Sequence, residues 1–184
     1  YATIDALRQL GVTITEKNNC ILVDGSTIIK NRDIIIDANE SGSTLRFLIP
    51  VAAMLEKTVV FEGKGRLPER PLNDYFNIFD KYGIIYSHPA SQYLPLKIIG
   101  NINFSDVDVK GNTSSQFITG LIMCGLVNPI RVHITTELQS KPYVDITVDV
   151  LRKFGCVIKE TDNAYEIYKR PSAIDEYYVE KDWS

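Results

Sequence analysis

The chain has 184 residues, 45% of them hydrophobic and 23% charged, with 11 Gly and 8 Pro, and that much apolar content excludes a disordered tail. One globular domain is expected, held by packing alone, because a chain of this size buries roughly 70% of the surface its unfolded form exposes. Twenty Lys+Arg against 23 Asp+Glu leave a formal charge of −3, which offers no global attraction to nucleic acid or an anionic membrane, so any anion site must be local.

In chain order, an amphipathic stretch over 1–10 reads as a helix closed by Gly11, and β-rich arms 12–16 and 20–23 read as a hairpin. A strand at 34–37, a Ser-initiated helix at 43–55, a strand at 58–62 and a Pro-initiated amphipathic helix at 71–82 follow. Gly83 closes that helix, and the series recurs as a hairpin at 84–86 and 96–99, a strand at 107–110, a helix at 114–126, a strand at 130–135 and a helix at 142–154. After Gly155 come a hairpin at 156–160 and 164–168 and a strand at 177–180.

The three glycines stand 72 residues apart, at 11, 83 and 155. At the same offset Ser43 matches Ser115, and one residue out of step Arg70-Pro71 matches Lys141-Pro142. Several landmarks in one order argue for duplicated units of 11–82 and 83–154, with a partial third made of 155–184 plus 1–10. That count leaves a little over thirty residues of the third period absent, and a first residue that is not Met points the same way, so a fragment is expected.

Cys20, Cys124 and Cys156 are odd in number, widely spaced and set in apolar stretches. They read as core residues of a reducing, cytoplasmic compartment, with neither a disulfide framework nor a metal site. The longest apolar run, 117–127, is too short to span a bilayer and suits a buried helix.

Candidate chemistry lies where strands run into helices. Ser41-Gly42-Ser43-Thr44 and Asn112-Thr113-Ser114-Ser115 offer unpaired backbone N–H groups and the positive end of a helix dipole to an anion. On residue type Ser43 and Ser115 are also explained as plain N-caps. Between Gly63 and Pro71 the cations Lys64, Arg66 and Arg70 surround two glycines; Arg70, held extended by the following proline, presents a planar fork suited to carboxylate or phosphate. Arg46 reads as a structural cation tied to local acids. Ser140-Lys141-Pro142-Tyr143 is the matching loop of the next period, with hydroxyls for a polyol or phosphate. His88 and His133 have no partner spacing for a metal or a nucleophilic triad, and Asp145 with Asp149 reads as a solvated helix stripe.

Four segments, 39–46, 67–72, 114–121 and 140–147, together resemble the 5-enolpyruvylshikimate-3-phosphate synthase family across nearly the whole chain. The resemblance implies an α/β (α+β) fold with a pseudo-threefold repeat of βαβαββ units. Residues 1–184 would form one of two domains, with the third unit incomplete and the second domain absent. It implies 3-phosphoshikimate 1-carboxyvinyltransferase chemistry in the shikimate pathway: the enolpyruvyl group of phosphoenolpyruvate passes to shikimate 3-phosphate, without a cofactor or metal. By motif matching Ser114, Ser115, Gln116, Ser140 and Tyr143 would bind shikimate 3-phosphate, and Gly42, Arg70 and Gln116 would line the phosphoenolpyruvate position. No catalytic residue is assigned here, because the family's main acid/base carboxylates lie in the other domain, and the isolated chain is expected to be inactive. Glu40 and Ser43 depart from the family's usual Asn and Thr, and Glu40 is expected to turn towards a cation. The alternatives are the sister transferase acting on UDP-N-acetylglucosamine, whose reactive Cys is lacking between Lys64 and Asn73, and a non-catalytic phosphate-binding module.

Overall fold

The three spaced glycines each close a helix through a backbone that other residues adopt only under strain. In the computed structural model, which describes residues 2–18, 20–26, 33–55, 57–100, 102–168, 172, 174 and 176–179, Gly11, Gly83 and Gly155 have φ of 98°, 68° and 79°. The first follows helix α1 (Ala2–Gln9) and leads into an antiparallel hairpin of β1 (Thr13–Lys17) and β2 (Cys20–Asp24).

Strand β3 (Ile34–Asp37) is joined through helix α2 (Gly42–Ala53) to β4 (Thr58–Glu62), which it pairs in parallel. A short 3-10 turn at Leu67–Glu69 and helix α3 (Asn73–Tyr82) lead to β5 (Ile85–Ser87) and β6 (Leu96–Ile99), and the sheet order is β3-β4-β6-β5. The same plan recurs. Strand β7 (Asp106–Val109), helix α4 (Ser115–Cys124), β8 (Ile130–Ile134), helix α5 (Lys141–Lys153), β9 (Ile158–Thr161) and β10 (Ala164–Ile167) give a sheet of order β7-β8-β10-β9. Each four-stranded sheet has one parallel pair followed by antiparallel ones. Strands β3 and β4 fall in the 11–82 period and β5 and β6 in the next, so hydrogen bonding draws each sheet from two sequence periods.

Alternation sets which face meets the core. Val59 and Phe61 of β4 and Leu96 and Ile98 of β6 are fully buried. Helices α2 and α4 bury Leu45, Ile49, Ile118 and Ile122 and lie parallel: Gly42 faces Gln116, while Arg46 and Pro50 face Gly120. A buried tyrosine completes this contact. Pro50 lacks an N–H, so the carbonyl of Arg46, four residues earlier, has no helical donor. The Tyr75 hydroxyl donates to it at 2.6 Å and lies 3.3 Å from the Phe117 carbonyl. Burial pushes the Tyr75 phenol well above its usual pKa, so the donor stays protonated. Tyr75→Phe is expected to cost about 1–3 kcal/mol, the penalty of a buried acceptor left unsatisfied, measured as a lower urea midpoint with an unchanged slope.

Three expectations need correction. Cys124 and Cys156 are buried, but Cys20 is exposed, as is the rest of β2, because among the described residues β2 pairs only with β1 and no other strand joins that hairpin. Pro71 does not open α3. The proline in a helical first turn is Pro68, in the 3-10 segment, and α3 begins two residues after Pro71. Of the strand expected at 177–180, residue 180 lies outside the described residues, and 177–179 belong to no strand. The acidic end beyond 179 likewise lies outside them.

Candidate functional site

The N-termini of α2 and α4 lie side by side, and the capping pattern decides which hydroxyls are occupied. Ser41 caps α2, its Oγ accepting from the Thr44 N–H at 3.2 Å, and Ser114 caps α4, accepting from the Gln116 N–H at 3.3 Å. Ser43 and Ser115 are therefore not the caps. Each sits in the first turn beyond one, with its hydroxyl left for other partners.

Gln116 joins the two helices. Its Oε1 accepts from Arg46 Nη1 at 2.8 Å, and its Nε2 donates to Ser43 Oγ at 2.8 Å. Arg46 also donates through Nη2 to the Pro71 carbonyl at 3.3 Å, and its guanidinium carbon stands 5.0 Å from the centre of the Phe117 ring. Its Nε is buried without a partner. Among the described residues no carboxylate pairs with Arg46, so the expectation of a cation tied to local acids is not met: the side chain turns towards α4 and the Arg70 loop. Burial first, and then the neighbouring Arg70, lower its pKa.

Arg70 is extended, at φ −75° and ψ 127°, as a residue before proline should be. A Cβ at Gly42 would lie 2.9 Å from Arg70 Nη1, 3.8 Å from Arg46 Nη1 and 3.9 Å from Gln116 Oε1. The glycine thus lets two guanidinium groups close over the start of a helix. Among the described residues Arg70 has no ion-pair partner, and with Arg66, Glu69 and Pro71 it lines a cleft of about 310 Å³. Lys64 is already taken by Asp37 at 2.9 Å, an ion pair that lowers the carboxyl pKa and raises that of the amine.

The matching loop of the next period is spent differently. Lys141 Nζ is held by Asp145 at 2.6 Å and Glu160 at 2.8 Å, and those bonds raise its pKa. Ser140 sits at the cap position of α5 without a side-chain cap bond, and Tyr143 is 69% exposed. Helix α5 meets α4 through the hydroxyls of Thr119 and Thr147, 3.3 Å apart. Among the described residues no hydrogen bond ties the Ser140 or Tyr143 side chain to the Gly42–Gln116 cluster. The structure therefore draws Gly42, Arg70 and Gln116 together, with Ser114 and Ser115 opening the same helix as Gln116, and leaves Ser140 and Tyr143 on a neighbouring helix.

Glu40 has no cation partner among the described residues; its carboxyl group lies against Gly65, where a Cβ would come within 2.8 Å. Gly65, at φ 57°, makes room for it. Arg46 and Ser43 are the members of the cluster whose contacts sequence reasoning does not give: from sequence Arg46 reads as a cation tied to acids, and Ser43 as part of the 41–44 anion segment or its cap. Their spacing of three residues puts them on one helix face, which was the available signal.

Parallel helix N-termini, two guanidinium groups and an oriented amide thus meet in one cluster of an α/β fold, and donors of these kinds suit an anion chemically. Residues 1–184 match the family model of EPSP synthase (3-phosphoshikimate 1-carboxyvinyltransferase), and the chain belongs to that family. It is 42% identical over 172 residues to the 3-phosphoshikimate 1-carboxyvinyltransferase of Clostridium acetobutylicum, covering 91% of this chain and 40% of the relative. To that of Clostridium novyi it is 42% identical over 196 residues, covering 100% and 45%. A solved structure of EPSP synthase from Acinetobacter baumannii superposes with a TM-score of 0.72 at 19% identity, covering 93% of this chain and 39% of that one, a likeness of fold. The chain spans about two fifths of the length of these relatives. Among the described residues no helix is long and apolar enough to cross a membrane.

Proposed function

We propose that this chain is the domain of a 3-phosphoshikimate 1-carboxyvinyltransferase that grips both anionic substrates. Gly42, Arg70 and Gln116 line the phosphoenolpyruvate position, and Ser114, Ser115, Gln116, Ser140 and Tyr143 hold shikimate 3-phosphate. In the reaction a ring hydroxyl adds to C2 of phosphoenolpyruvate, and phosphate leaves the tetrahedral intermediate. The observation that carries this reading is the cluster at Gly42, where Arg70 and Arg46 converge and, among the described residues, neither pairs with a carboxylate. Two cations left unneutralised beside a helix N-terminus are stabilised by an arriving anion, and a guanidinium fork matches phosphate or carboxylate geometry.

The cluster's two cations can only donate. Among Ser43, Arg46, Arg70 and Gln116 there is no carboxylate or imidazole, Glu69 lying in the outer cleft beside Arg70, so this domain binds and orients, while the general acid and base come from a second domain of the same polypeptide. A cytoplasmic setting suits both the phosphorylated substrates and the buried free thiols of Cys124 and Cys156.

Calorimetric titration of the chain with shikimate 3-phosphate, in low and high salt, tests the proposal. Weak, salt-sensitive binding is expected, about tenfold weaker in Ser115→Ala, which removes one hydroxyl that holds the ligand. No release of phosphate is expected when phosphoenolpyruvate is added. Absence of binding at low salt, or turnover by the chain alone, rejects this assignment.

A further inference from the structure

We infer that Arg46, assisted by Ser43, is a positioning residue that fixes the side-chain amide of Gln116 in a single orientation for ligand binding. The inference rests on the proposed function, in which Gln116 touches both substrates. A primary amide has two faces of opposite character. One presents a carbonyl oxygen that repels an anion, and the other presents N–H groups that attract it. Which face an incoming phosphate or carboxylate meets is therefore worth controlling.

The hydrogen bonds supply the control. A guanidinium has donors and no acceptor, so Arg46 Nη1 at 2.8 Å admits only Oε1 on that side of the amide. A hydroxyl can donate or accept, so Ser43 does not choose the face. It accepts one Nε2–H at 2.8 Å and so stops rotation about the terminal torsion. One Nε2–H is left to donate. Turning the amide over would set NH2 against a cation.

Arg46 can impose this because it cannot swing away. Nη2 is anchored on the Pro71 carbonyl, directly after Arg70, and the guanidinium lies over Phe117, the residue after Gln116. Its buried Nε without a partner, and the lack of a carboxylate partner among the described residues, are what a purely structural arginine would avoid. The arrangement also ties the two helix N-termini together, since Arg46 and Ser43 belong to α2 and Gln116 to α4.

The test is a mutant cycle on the chain, read by titration with shikimate 3-phosphate and by hydrogen exchange of the 15N-labelled side-chain amide. Arg46→Lys keeps the charge but cannot hold Gln116 and Pro71 at once, and Ser43→Ala removes the second restraint. Each is expected to weaken binding about five- to tenfold, the range for one lost hydrogen bond, with recovery in Ser43→Thr. Neither should weaken binding further in a chain that already carries Gln116→Ala. Without ligand, the Gln116 Nε2 protons should exchange more slowly than those of exposed Gln139, and the difference should vanish in Ser43→Ala. Equal losses with and without Gln116→Ala would overturn the inference. If no form binds shikimate 3-phosphate, the proposed function fails, and exchange alone decides this point: Gln116 protons as fast as those of Gln139 would overturn it.

Discussion

Gly120→Ala is expected to lower the stability of the chain, against the direction of helix propensity. Glycine inside a helix is worth about 1 kcal/mol less than alanine, so an exposed site would gain from the change. Here a Cβ would come within 2.7 Å of the Arg46 carbonyl and 3.0 Å of Pro50 Cγ, and would overlap the Tyr75 hydroxyl. Two of those contacts are backbone or ring atoms with little room to move, and overpacking of this kind costs about 1–3 kcal/mol. Displacing the hydroxyl also leaves the Arg46 carbonyl without its donor, a further penalty of about 1–3 kcal/mol. The penalties outweigh the gain by roughly 1–5 kcal/mol, which for a domain near this size is a fall in Tm of about 2–20 °C. Thermal unfolding followed by circular dichroism reads the difference, and a variant as stable as the parent would mean that α2 and α4 do not approach as described.

Arg70→Ala is expected to abolish most phosphoenolpyruvate binding while leaving stability almost unchanged. The side chain is exposed and, among the described residues, without an ion-pair partner, so the folded chain loses little by its removal. A charge-assisted hydrogen bond to an anion contributes about 1.5–3 kcal/mol, which corresponds to roughly a 10- to 150-fold loss of affinity. Arg70→Lys should recover only part of it, because an ammonium restores the charge but not the two-pronged geometry. Titration with phosphoenolpyruvate, alongside an unfolding curve for each variant, separates the two effects. Unchanged affinity in Arg70→Ala would place the anion elsewhere.

Much of this was legible in the residues. The left-handed glycines, the hairpins after them, the strand at 58–62 and the extended backbone at Arg70 follow from local rules that need only a few neighbours. The cluster was legible in part. Gly42 and Gln116 are 74 positions apart, and no local pattern says that Arg46 reaches across to Gln116 or that Ser43 meets the same amide. Likewise Arg70-Pro71 and Lys141-Pro142 look interchangeable in the chain, yet Lys141 is consumed by Asp145 and Glu160, while among the described residues Arg70 has no ion-pair partner.

The amino-acid order by itself determined the elements, their recurrence and the chemical types available for gripping an anion, because φ preferences, capping and apolar periodicity act over a handful of residues. Only the tertiary structure decided which cations and hydroxyls remain unoccupied and which of them meet. That outcome depends on the parallel approach of α2 and α4, permitted by a missing side chain at Gly120 and held by a phenol answering the carbonyl that Pro50 leaves unpaired.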